Sequence, residues 1–259
     1  MPRPASLVTG ASSGIGAAYA RLLAADHDLV LVARRADRLN RLADELRAIG
    51  ATVEVLVADL SSPDGLDAVT CRLAAGDIRL LISNAGAGGY APLTDVAPAE
   101  VDRLLTLNAV APIRLARAAL PGMLAANEGA VVTVASLLAF SADGNDPLLP
   151  RRTLYAAAKA STVTFTRTLA DELAGTAVRA LVVCPGMVAT EWNGGSGRRI
   201  PSAMSPEDVA SASLASLRLG ETVCVPGLED QGAALKALRE AESTLMNRGA
   251  RPFPATRYQ

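Results

Sequence analysis

Seven short apolar runs mark the chain, and most are followed by a longer stretch whose apolar residues have helical spacing. Residues 5–8, 28–33, 52–57, 79–83, 130–134, 178–183 and 222–225 read as strands, and residues 14–25, 36–49, 63–75, 98–126, 153–173 and 231–247 as helices. The strands are nearly unbroken apolar runs, such as Leu29-Val30-Leu31-Val32, rather than alternating ones. That pattern belongs to strands buried on both faces, as in a parallel sheet covered by helices. Repeated strand–helix alternation implies right-handed crossovers and a doubly wound α/β sheet of about seven strands flanked by helices. Ligands of such sheets sit at the carboxyl ends of the strands, near the point where strand order reverses.

Three segments leave the pattern. Residues 141–152 are a polar insertion containing Pro and Gly. Residues 190–205, rich in Gly, Ser and Arg, read as an irregular lid over a substrate site. Residues 228–259 form a C-terminal extension, helical at first and extended over 251–259. No linker or internal repeat separates a second domain, so residues 1–259 read as one dinucleotide-binding and catalytic domain.

Composition narrows the function classes. Half of the 259 residues are hydrophobic and mean hydropathy is +0.27, enough for a large core. The net charge of −1 offers no broad field for a polyanion, and 3% aromatic content argues against a surface for stacking nucleic-acid bases. Three scattered cysteines and the single His27, just ahead of a strand, have no metal-ligand spacing. No signal core and no run of about 20 apolar residues is visible, so a cytoplasmic, disulfide-free protein without a membrane segment is the expectation.

The first strand leads into Thr9-Gly10-Ala11-Ser12-Ser13-Gly14-Ile15-Gly16 and then a helix. Glycines there permit a sharp turn and close approach of a pyrophosphate, and the helix N-terminus offers free N–H groups. At the end of the second strand, where an acidic residue would bond the ribose 2′-hydroxyl of NAD, stand Arg34 and Arg35, with Arg38 one helical turn on. Guanidinium groups there suit the 2′-phosphate of NADP(H), which is expected to be preferred over NAD(H). Tyr155 and Lys159 are four apart in a helical stretch and share a face. Of 25 basic residues only Lys159 and Lys236 are lysine, so a lysine at that place is not the chain's default choice. A tyrosine can supply a proton to a carbonyl oxygen, and a nearby ammonium is expected to lower its pKa.

The Gly-x-x-x-Gly-x-Gly spacing with its leading threonine resembles the short-chain dehydrogenase/reductase family, with the Rossmann-type fold that implies. The resemblance covers residues 5–226. It includes Val57-Ala58-Asp59-Leu60, Asn84-Ala85-Gly86, Leu107-Asn108-Ala109, Tyr155-x-x-x-Lys159 and Pro185-Gly186-Met187-Val188-Ala189-Thr190. It implies that Asp59 and Leu60 lie at the adenine and Asn84, Ala85 and Gly86 along the cofactor. Pro185, Gly186, Val188 and Thr190 would meet the nicotinamide end. It further implies that Ser136 orients the substrate oxygen and that Asn108 holds a relay water near Lys159, where Asn108 equally reads as a helix residue bonding backbone. Ser141 is a second serine candidate. Nineteen positions separate Ser136 from Tyr155, about six more than the family pattern, which puts weight on the strand-end position of Ser136.

The implied activity is NADPH-dependent reduction of a ketone or aldehyde, or the reverse. A 3-oxoacyl thioester reductase is the alternative substrate reading, and a catalytically inactive NADP-sensing protein the alternative of another class. Gly88-Gly89-Tyr90 reads as one wall of the site. Trp192 reads either as a substrate contact or as a lid anchor, and Arg198 and Arg199 either as solvated loop charges or as contacts for an acidic substrate or carrier. Relatives pair long helices between subunits, so a homodimer or homotetramer is expected.

Overall fold

The computed structural model describes residues 3–142, 149–192 and 201–258. The seven apolar runs are hydrogen-bonded into one sheet: β1 (Ala5–Thr9), β2 (Asp28–Ala33), β3 (Val53–Val57), β4 (Ile78–Ser83), β5 (Gly129–Val134), β6 (Val178–Val183) and β7 (Val223–Cys224). Their order is β3-β2-β1-β4-β5-β6-β7, with every pairing parallel. The order reverses between β1 and β4, so the carboxyl ends of these strands frame the crevice that binds ligands in doubly wound sheets.

Helices cover both faces: α1 (Gly14–Leu23), α2 (Ala36–Ala48), α3 (Pro63–Leu73), α4 (Pro98–Leu105), α5 (Ala111–Ala126), α6 (Thr153–Glu172) and α7 (Pro206–Arg218). The unbroken apolar strands explain the two cores. Val8, Leu31, Ile82, Val132 and Leu181 pack on one side with Tyr19, Leu39 and Val209. Leu7, Val30, Leu81, Val131 and Ala180 pack on the other with Leu66, Leu115 and Leu169. Each fully buried Val, Leu or Ile among them contributes about 1.5–3 kcal/mol. On the first side, the Tyr19 hydroxyl hydrogen-bonds Ser213, tying α1 to α7.

The strands agree with the apolar runs to within a residue or two, while two features depart from the reading. Nothing in it assigned α7, although Ser205 caps that helix by accepting from the Asp208 N–H and Pro206 fills its first turn. The 98–126 stretch is not one α-helix, because a π turn at Thr106–Val110 separates α4 from α5. This stretch is long and apolar enough to cross a membrane by length and composition, with mean hydropathy 1.2 over its most apolar window. Its apolar side is core: Leu104, Leu107, Leu115, Ala119 and Met123 are buried.

Residues from Gly227 onward form a separate compact unit. It holds α8 (Gln231–Gly249), in which no residue is buried and whose Asp230 cap accepts from Ala233 N–H at 3.0 Å. The 251–259 segment, expected to be extended, contains a 3-10 turn at Thr256–Tyr258, where Arg257 stacks on the Tyr258 ring.

Candidate active site

Thr9, the last residue of β1, knits the switch point together. Its Oγ1 accepts from the N–H groups of Asn84 and Ala85 at 2.9 and 3.0 Å, and Asn84 Nδ2 donates to the Thr9 carbonyl at 2.9 Å. The chain then turns through Gly10 at φ +69°, a left-handed conformation that suits glycine. A Cβ on Gly16 would overlap the Gly10 carbonyl, so the turn closes only with glycine there. The first turn of α1, with Gly14, Ile15 and Gly16, points its N–H groups out of this junction. The Ile15 side chain packs on the core, leaving its backbone for a ligand. This cradle fits a pyrophosphate: it has backbone donors and a helix dipole.

The end of β2 carries the charged part. Arg35 donates from Nη2 to Ser12 Oγ at 2.9 Å and Ser13 Oγ at 2.7 Å, fastening the glycine turn to the second strand. Arg38 donates to Glu191 Oε2 at 2.5 Å, and Arg35 Nη1 lies 3.4 Å from the same oxygen. The Arg38 guanidinium holds the Glu191 carboxyl below its ordinary range. Arg34 is more exposed, 3.8 Å from Asp59 Oδ2. Although partial burial opposes ionisation of Asp59, bonds from the Ser61 hydroxyl and N–H and the charge of Arg34 keep its carboxyl low. Leu60 beside it is buried in the core, so only its backbone faces outward.

The residues expected to react cluster at the ends of β5 and β6. Tyr155 and Lys159 are both buried on one face of α6. Lys159 Nζ donates to the Val134 carbonyl at 2.8 Å and lies 5.8 Å from the Tyr155 ring centroid. Ser136, two residues past the end of β5, lies beside the Tyr155 phenol, and its Oγ accepts from Leu138 N–H at 3.2 Å. Asn108 sits in the π turn, fully buried. Its side chain accepts from Ala87 N–H at 3.1 Å and donates to Ala87 O at 3.0 Å, which is the backbone-bonding role anticipated for it. Its carbonyl accepts from Thr162 Oγ1 at 2.9 Å, joining the turn to α6. Pro185 accepts from Leu137 N–H at 3.0 Å, and Gly186 lies against Leu137. Val188 pairs with Met204, while Thr190 lies over the glycine turn, its Cγ2 3.0 Å from where a Cβ on Gly14 would stand.

One expectation fails. Lys159 does not bring the Tyr155 phenol down. Burial raises it, with Tyr90 adding to the rise, and only Ser136 works against this. The reason is that Lys159 is itself buried, which lowers its pKa to about 8, and its ammonium is bonded to Val134 rather than to the phenol.

The long insertion is closed by Arg152. It donates to Ser141 Oγ from Nε and to Ser141 O from Nη2, both at 2.7 Å, so Ser141 is engaged in the loop and Ser136 is the serine at the phenol. Residues 143–148 of the insertion, and Asn193, Gly194, Gly195, Ser196, Gly197, Arg198 and Arg199 of the lid, lie outside the described residues. Two contacts were not foreseen. Tyr90 and Trp192 both meet the Tyr155 ring edge-on, at centroid distances of 5.2 and 6.0 Å. Glu191 is the partner of Arg35 and Arg38, and its only sequence signal is its place directly after Thr190.

A doubly wound sheet with a phosphate cradle at its switch point and a buried tyrosine–lysine pair beside it defines a nucleotide-dependent oxidoreductase. Comparison with known proteins gives the family. A family model described as short chain dehydrogenase matches residues 5–199. A short chain dehydrogenase of Pseudocercospora fijiensis is 35% identical over 192 residues, 72% of this chain, and the match spans 60% of that relative's length. A solved short-chain dehydrogenase from Sphingobium yanoikuyae, in complex with NADPH, has a TM-score of 0.90 at 35% identity, covering 98% of this chain and all of that one. A bulky-bulky ketone specific alcohol dehydrogenase from Comamonas testosteroni has a TM-score of 0.88 at 31% identity, covering 98% of each chain. The chain belongs to the short chain dehydrogenase family, as an oxidoreductase acting on CH–OH groups with a nicotinamide cofactor.

Proposed function

We propose that this protein reduces a ketone or aldehyde to an alcohol with NADPH, or runs the reverse, with Tyr155 as the general acid/base. The observation that carries the reading is the buried Tyr155 phenol, beside Ser136 and on the same helix face as Lys159, at the carboxyl end of β5. The nicotinamide supplies the hydride when bound. The glycine turn from Gly10 to Gly16, with Ser12 and Ser13, would hold its pyrophosphate. Asp59 and Leu60 would meet the adenine, and Asn84, Ala85, Gly86, Pro185, Gly186, Val188 and Thr190 the remainder. Lys159 has two N–H donors beyond its Val134 bond and would hold ribose hydroxyls. Asn108 would anchor the relay behind it.

Ser136 and Tyr155 both face the substrate oxygen in this reading. Burial keeps the phenol protonated near neutral pH, which suits a donor: an alkoxide is a stronger base than a phenolate, so the proton passes from Tyr155 Oη to the substrate oxygen. Arg34, Arg35 and Arg38 favour NADPH through planar, charged donors. The bulky-bulky ketone specificity of the Comamonas alcohol dehydrogenase supports a carbonyl substrate, while a 3-oxoacyl thioester remains the second substrate class. We place the enzyme in the cytoplasm as a homodimer or homotetramer, with residues 228–259 an extension of one catalytic domain.

The test is cofactor consumption against a panel of ketones, aldehydes and 3-oxoacyl thioesters, with NADPH and NADH in parallel. Turnover with NADPH that disappears in Tyr155→Phe is the expected result. Tight NADPH binding without turnover on any member, unchanged by Tyr155→Phe, would instead establish a sensor. Equal use of NADH would refute the arginine argument.

A further inference from the structure

Two consecutive side chains, Glu191 and Trp192, reach into opposite ends of the cofactor crevice. Glu191 takes donors from Arg38 and Arg35, the guanidinium groups at the end of β2. Trp192 lies at the other end. A Cβ on Gly86 would stand 3.2 Å from its Cη2 and 3.5 Å from Lys159 Nζ, and its ring meets Tyr155 edge-on. The Trp192 N–H donates to Thr190 Oγ1 at 3.2 Å, and Thr190 lies over Gly14. Three residues therefore span the crevice from its arginines, across the glycine turn, to its tyrosine–lysine pair.

We propose that Glu191 and Trp192 are an internal competitor of the cofactor: the Glu191 carboxylate mimics a 2′-phosphate on Arg35 and Arg38, and its displacement by a 2′-phosphorylated nucleotide withdraws Trp192 from Gly86 and Tyr155. This rests on the NADP reading of the arginines and adds a residue that sets the selectivity for it. A phosphate dianion offers three acceptor oxygens and more charge than one carboxylate, so it displaces Glu191 from the guanidinium groups. A 2′-hydroxyl cannot, since it brings no charge. The discrimination between the two cofactors is then a difference between displacing Glu191 and failing to displace it. Glu191 and Trp192 share one backbone segment held by Thr190, so a backbone shift that frees Glu191 also carries Trp192 and couples the adenosine end to the catalytic end.

The chain has a single tryptophan, so its emission reports Trp192 alone. The experiment titrates the whole protein and Glu191→Gln with adenosine 2′,5′-bisphosphate and with ADP, reading calorimetric affinity and tryptophan emission. Neither probe carries a nicotinamide, and adenine does not absorb where tryptophan is selectively excited. The expected result is an emission shift in the wild type with the bisphosphate and none with ADP. Glu191→Gln should bind the bisphosphate about 2- to 5-fold more tightly, the range of an exposed ion pair. Its unliganded emission should already lie near that of the liganded wild type. Equal bisphosphate affinity in the two proteins, or tighter binding with no change of emission, overturns the proposal and leaves the NADP reading standing. Binding of ADP but not of the bisphosphate to either protein overturns the NADP reading and the proposal with it.

Discussion

At the catalytic end of the crevice Tyr155, Ser136, Lys159 and Asn108 expose 6%, 9%, 3% and 1% of their surface. At the adenosine end the side chains of Arg34, Arg35, Arg38 and Glu191 expose between 35% and 63%. Both regions are polar and both follow a strand end, yet their physics differs. Desolvation shifts the protonation of Tyr155 and Lys159, the Lys159 ammonium is bonded to Val134, and Asn108 is fixed by bonds to Ala87 and Thr162. The exposed charges are screened and exchange partners easily. The contrast suits the division of labour proposed for them: one end has to hold a proton in a defined place, and the other has to release a carboxylate and accept a phosphate.

Four measurements would break or sharpen this contrast. The largest effect is expected from Tyr155→Phe, which removes the proton donor while keeping the ring that meets Tyr90 and Trp192. It should lower kcat by about 10³-fold, the middle of the range for general acid–base catalysis, with NADPH affinity unchanged in direct binding. A comparable loss of affinity would mean that the phenol serves binding instead.

Next is Lys159→Met. The pKa of Lys159 is lowered by burial from 10.5 to about 8. Below pH 8 the folded and unfolded chains both carry this proton, and the folded chain bears the full cost of the buried charge. Between pH 8 and 10.5 only the unfolded chain carries it, so stability rises with pH. Lys159→Met should therefore be more stable than the wild type at pH 6.5, by up to about 3 kcal/mol before the lost Val134 bond is counted. That advantage should shrink at pH 9.5 in denaturant unfolding. A gap independent of pH would show that the ammonium is solvated after all.

Asn108→Ala should cost about 2 kcal/mol in the same unfolding experiment, because it strips partners from the Ala87 N–H and carbonyl. No loss would show that water replaces the amide there. The smallest effect belongs to the exposed end. Arg35→Ala should weaken NADPH about 10-fold, as for hydrogen bonds to a charged group, with NADH affinity held within about 2-fold. The NADPH affinity should fall more steeply with rising salt than the NADH affinity. Equal loss for both cofactors would mean that Arg35 acts by holding Ser12 and Ser13 in the turn.

Much of this was legible in the linear chain. The strands were visible because a strand buried on both faces must be apolar throughout, whichever fold it joins. The glycine turn was visible because Gly10 takes a positive φ, which glycine adopts without steric cost, and Gly16 a close approach that leaves no room for a Cβ. Tyr155 and Lys159 were visible because helix geometry alone places positions four apart on one face. The α7 helix was overlooked although Ser205 and Pro206 announced it, since Gly, Ser and Arg in the preceding segment masked its start.

What escaped the sequence depends on distance through space. Local spacing makes Lys159 a neighbour of Tyr155, but only the packing shows that burial outweighs the ammonium and raises the phenol. Choosing between Ser136 and Ser141 depended on Arg152 closing the insertion, a contact made across 11 positions. Glu191 is separated from Arg35 by 156 positions and carries no motif. The sequence by itself determined the sheet, the glycine turn and the shared helix face of Tyr155 and Lys159, because each follows from backbone geometry or periodicity. The tertiary structure decided the protonation of that pair and the partner of the arginines, because desolvation and long-range charge pairing exist only once the chain has folded.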